Sequence, residues 1–104
     1  MSTYHVTMTL MAAPLATSLR TFAGLIAQVQ ADLHEWAAHN AANNVVVQPD
    51  PTTHTFVVQL HARTSTLATA VYLAERAVLN AAATEQTSWR VEILRAAAYP
   101  LVTP

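Results

Sequence analysis

The chain has 104 residues, the usual size of one domain. Only 11% of its residues are charged and 53% are hydrophobic, where a typical domain is ~25% charged, so Thr, Asn, Gln, His and Ala must dress its surface and association with like surfaces is favoured. It has a formal net charge of −1, no lysine, no cysteine and five scattered arginines, which argues against nucleic-acid binding, disulfides, thiolate metal sites and cysteine nucleophiles.

Thr3 to Met11 alternates, with Tyr4, Val6, Met8 and Leu10 on one side and His5, Thr7 and Thr9 on the other, the signature of a half-buried strand. Pro14 breaks it, and Thr17 or Ser18 is the expected cap of a helix running to His39. Its core stripe reads Leu15, Leu19, Phe22, Ile26, Val29, Leu33 and Trp36. Asn40, Asn43 and Asn44 compete for main-chain hydrogen bonds and end it.

Val45 to Val47 is a short β-branched run, followed by a turn at Pro49, Asp50 and Pro51. Thr53 to His61 alternates again, placing Phe56, Val58 and Leu60 inward and Thr55, Val57, Gln59 and His61 outward. Thr64, Ser65 and Thr66 supply caps for a second helix with Leu67, Val71, Ala74, Val78 and Ala81 at helical spacing. This helix gives way around Ala83 to Thr87, and Trp89, Val91 and Ile93 then alternate with Arg90, Glu92 and Leu94 in a last strand. Residues 96–104 read as an apolar C-terminal tail.

Strand, helix, strand, strand, helix, strand is the order of the ferredoxin-like α+β fold, a βαββαβ chain forming a four-stranded antiparallel sheet with two helices on one face. One domain over residues 1–104 is expected. No apolar run reaches the ~20 residues that span a bilayer, and the N-terminus lacks the early basic residues of a secretory signal, so a cytoplasmic protein without a membrane partner is the plain reading.

Antiparallel pairing of the third and fourth strands with the first brings the start of the first beside their ends, which predicts that His5, His61 and Glu92 meet on the open face of the sheet. Two imidazoles and a carboxylate would suit a divalent metal or a base with its orienting partner, and Arg90, with Arg63 and Arg95, would steer an anion. This is the basis for a small-molecule enzyme or ligand binder of the dimeric α+β-barrel kind. Catalytic roles are assigned to none of these residues, and no cofactor is implied beyond that metal.

His34, Glu35 and His39 resemble a zinc-protease motif only superficially, because histidines five apart diverge by ~140° around a helix. The one glycine, Gly24, falls within the first helix, which excludes a glycine-rich phosphate loop. The expected open face carries no Phe, Tyr or Trp on which RNA bases would stack.

Apolar or small residues off the core stripes are the interface candidates: Gly24 and Ala27 on the first helix, Tyr72 and Leu79 on the second, Tyr99 and Leu101 in the tail. The leading expectation is a noncatalytic protein-interaction or binding module that works as a homo-oligomer, a dimer in its simplest form. Five histidines with an unperturbed titration near ~6.5 suggest that its association responds to mild acid.

Overall fold

A computed structural model describes residues 1–15, 21–83 and 89–101. The elements are β1 (Ser2–Pro14), α1 (Phe22–Ala38), β2 (Ala42–Asp50), β3 (Thr55–Thr64), α2 (Leu67–Ala83) and β4 (Trp89–Pro100). All neighbouring strands are antiparallel in the order β2-β3-β1-β4, so each helix crosses over one intervening strand and the architecture is the ferredoxin-like one. No helix among the described residues is long and apolar enough to cross a membrane.

Alternation in β1 and β3 decides which face is covered. Val6, Met8, Leu10 and Ala12 of β1 and Phe56, Val58, Leu60 and Ala62 of β3 are buried beneath the helices, whereas their odd-numbered neighbours turn to the open face. The ten-residue register of these two strands, from Ser2 opposite Thr64 to Met11 opposite Thr55, forms the spine of the sheet.

α1 begins later than its periodicity suggested. Thr21 is the cap, in extended backbone geometry, and its Oγ1 accepts a 3.0 Å hydrogen bond from the Gly24 amide. Thr17, Ser18 and Leu19 lie outside the described residues, and Leu15 stands exposed beyond the end of β1. The stripe that is buried is Phe22, Leu25, Ile26, Val29, Leu33 and Ala37. Leu25 joins it because residues three and four apart share a helix face, so Leu25 sits with Phe22 and Val29. At the other end Asn40 Nδ2 donates to the Trp36 carbonyl at 2.7 Å, satisfying a group the helix leaves unpaired.

Thr66 caps α2, its Oγ1 accepting from the Thr69 amide at 3.1 Å. The inner face of α2 is mostly alanine, with Ala70, Ala74, Ala77, Val78, Ala81 and Ala82 buried, which lets the helix approach the sheet closely. Leu67, placed in the core stripe by spacing, is exposed at the first position of the helix, where α2 has no preceding turn.

Two irregularities shape the outer strands. In β2, Asn44 and Val45 together stand opposite Leu60, and Asn44 takes a left-handed backbone with φ 54°. In β4, Thr9 faces Arg95 but Leu10 faces Ile93, so Leu94 is an inserted residue. Trp89, Val91 and Ile93 therefore face the helices before the bulge, and Ala96 and Ala98 after it. β2 is longer than its Val45 to Val47 run, and residues 96–100, expected in an apolar tail, are the second arm of β4, paired with β1 from Met8 to Tyr4. Val102 and the two residues after it lie outside the described residues.

Candidate functional site

The open face is built by the odd-numbered residues of the two central strands. β1 contributes Thr3, His5, Thr7, Thr9, Met11 and Ala13, and β3 contributes Thr55, Val57, Gln59, His61 and Arg63. On the outer strands, β2 adds Asn43, Val46, Gln48 and Asp50, and β4 adds Arg90, Glu92, Arg95, Ala97 and Tyr99, each by its register with a residue of the central pair.

His5 and His61 are direct cross-strand partners, and their rings meet edge to face with centroids 5.3 Å apart. Tyr99, opposite His5 on the other side, stacks on the same ring at 4.9 Å. Asn44 Nδ2 lies 3.0 Å from His61 Nδ1, the amide donating to the unprotonated ring nitrogen. The left-handed turn at Asn44 makes this contact, since it lifts the side chain of the bulged edge strand toward its neighbour. Beside His61 a polar depression of about 400 Å³ is lined by Thr3, Asn40, Asn43 and Arg63, among others.

Glu92 does not join them. It stands opposite Met11, six residues along β1 from His5, a separation of ~20 Å at the rise of a strand. The expectation took β4 to end near Leu94. Because the strand continues to Pro100, Tyr99 takes the place beside His5 that Glu92 was expected to fill. Arg90 lies still farther along, opposite Ala13, and Arg95 lies opposite Thr9, leaving Arg63 as the guanidinium nearest the histidines. Among the described residues no three His, Asp or Glu side chains are grouped closely enough to hold a metal ion. The arrangement thus offers one imidazole, that of His5, flanked by a second imidazole and a phenol, without a carboxylate to orient a general base.

Tyr99 also corrects the expectation of an open face without aromatic residues. A single ring already stacked on an imidazole is a small platform beside the two or three that RNA-binding sheets present.

The interface candidates divide between the two sides of the molecule. Tyr72 is 60% exposed and Leu79 37% exposed on the solvent face of α2, and Ala27 is exposed on α1, all on the helical layer. Gly24 is half-buried in the first turn of α1, where it donates to the cap, rather than in the helix interior. Tyr99 is on the open face, and Leu101, half-buried, follows β4 and donates its amide to the Thr3 carbonyl at 2.8 Å. His39, on the helical side, places its Nδ1 2.9 Å from the Glu35 carbonyl and lines a groove of about 390 Å³ between the C-terminal ends of the helices.

A second aromatic group was not foreseen. Phe22, His54 and Trp89 meet where α1 begins, the β2–β3 turn closes and β4 starts, with Phe22 stacked on His54 at 5.1 Å and Trp89 edge-on to both. His54 reaches them from a left-handed turn position, φ 53°, and its carbonyl accepts from the Ala12 amide. The three residues are far apart in the chain, and only the pairing of β1 with both β3 and β4 joins them.

No protein-family model matches this sequence, and neither a curated protein nor a solved structure is significantly similar to it.

Proposed function

We propose that this chain is a noncatalytic binding module that works as a homo-oligomer, packing the open face of its sheet against that of a second copy. The observation that carries this reading is the distribution of charge on that face. From Thr3 to Ala13 on β1 and from Thr55 to His61 on β3 there is no Asp, Glu, Lys or Arg. Asp50, Arg63, Arg90, Glu92 and Arg95 all stand on outer strands or at a strand end. An uncharged centre within a polar rim is how protein interfaces are built.

Exposed apolar groups supply the driving force. Met11, Val46, Leu94 and Tyr99 are between 38% and 53% exposed on or beside this face, which water alone would disfavour. Ten paired residues at ~3.3 Å and four strands at ~4.8 Å give a face of ~600 Å², comparable to the ~800 Å² per partner of a standard interface. A neutral face calls for a neutral partner, and the same face of another copy is one. α2 is the weaker candidate, because Glu75 and Arg76 interrupt its Tyr72 and Leu79. The enzyme alternative relied on His5, His61 and Glu92 sharing one pocket, and the separation of Glu92 from the two histidines gives it no support. A cytoplasmic location belongs to this proposal.

Light scattering tests it. Wild type at tens of micromolar should have at least twice the 11.2 kDa of one chain, and Val46→Asp should lower that mass with the circular dichroism spectrum unchanged. A wild type of one-chain mass would refute the reading.

A further inference from the structure

We infer a second self-association surface, distinct from the open face: the outer edge of β4, paired antiparallel with β4 of another copy about a two-fold axis between Ile93 and Leu94.

The two edges of the sheet differ. β2 is blunted by Pro49 within the strand and Pro51 just after it, features that discourage further pairing. β4 from Trp89 to Tyr99 has no proline, and its charged side chains carry both signs, Glu92 standing between Arg90 and Arg95. Leu101 donates to the Thr3 carbonyl, so open-face residues turn their main-chain groups toward each other across the β1–β4 ladder. Strand alternation then points the amides and carbonyls of Val91, Ile93, Ala96 and Ala98 outward. Among the described residues no strand pairs with them.

The bulge selects the register. Opposed residues in an antiparallel pair share a face, and an unbroken strand paired with its own copy meets this condition only when the axis passes through a residue. Leu94 shifts the alternation by one, so the two arms of β4 match faces only when the axis falls between residues. With the axis between Ile93 and Leu94, Glu92 lies opposite the partner's Arg95, both on the open face, and Val91 opposite the partner's Ala96, both on the core face. Each Glu92 meets an opposite charge, twice per pair, and cross-strand pairs of opposite charge are favourable. One residue further along, Glu92 would face the partner's Ala97 and Arg95 the partner's Leu94, leaving both charges without a mate. The joined sheets run on as eight strands with their open faces on one side, so the face contact remains available and four chains complete both surfaces.

The absence of cysteine makes the register directly readable. Opposed Cα atoms of a non-hydrogen-bonded pair are ~4.5 Å apart, within disulfide range, whereas two copies of residue 92 would be ~10 Å apart, outside it. Glu92→Cys and Arg95→Cys chains should therefore form a disulfide-linked two-chain species when co-expressed and oxidised, and neither should form it alone. Repeating this with Val46→Asp in both chains removes the face contact and should leave the cross-link intact, which separates failure of one surface from failure of the other. The absence of a cross-link in the co-expressed pair, or equal cross-linking of either variant alone, would overturn the inference. Charge reversal gives a second reading: Glu92→Arg should halve the wild-type mass and the Glu92→Arg, Arg95→Glu double variant should restore it, whereas a single variant of wild-type mass would also overturn it.

Discussion

Asn44 supports the histidine end of the open face, and two substitutions there separate its backbone role from its side-chain role. Its φ of 54° is a conformation that costs an ordinary L-residue ~1–2 kcal/mol, that asparagine tolerates better and that glycine adopts freely. Its amide also makes the 3.0 Å contact with His61, worth ~1 kcal/mol at an exposed site. Asn44→Ala loses the contact and gains the backbone cost, a destabilisation of ~2 kcal/mol. Asn44→Gly loses the same contact but relaxes the backbone, for a net loss of ~0.5 kcal/mol after the entropy of an added glycine. The difference of ~1.5 kcal/mol should separate the urea midpoints by ~1.2 M at an m-value of ~1.2 kcal/mol per M. Protein concentration must be equal, since association adds to apparent stability. Coincident midpoints for the two variants, or a glycine variant less stable than the alanine one, would refute the reasoning.

Leu25, fully buried on α1, should cost ~3 kcal/mol when cut to alanine, whereas Leu79→Ala on the outer face of α2 should change stability by less than ~0.5 kcal/mol; chemical denaturation of both checks this. Thr21→Ala removes the cap of α1 and should cost ~1 kcal/mol, with Thr21→Ser close to wild type in the same assay.

The order of elements was legible because hydrophobic period is a local property. β1 and β3 alternate without interruption, and Thr66 caps α2 as the Thr64, Ser65, Thr66 cluster suggested. What escaped was set by contacts distant in the chain. Ala96, Ala97 and Ala98 give no alternation to read, and the Leu94 bulge shifts the pattern just before them, so the second arm of β4 looked like a tail. From that shortened strand followed the misplacement of Glu92 beside His5. The pairing of His5 with His61 survived, because it needed only the unbroken alternation of β1 and β3. Tyr99 was singled out as an apolar contact, yet its place on the open face depends on counting through the bulge. His54 gave no signal, since a histidine in a turn acquires its aromatic neighbours only when three separate segments converge.

The central claim is that the open face of the sheet is where copies meet. Mixing isotope-labelled with unlabelled chains and recording only the nuclear Overhauser effects that pass between them tests it most directly. The account predicts that these contacts fall on the methyl groups of Met11 and Val46 and on the ring of Tyr99. Contacts confined to Tyr72 and Leu79 of α2, or none at concentrations where the mass exceeds one chain, would contradict it.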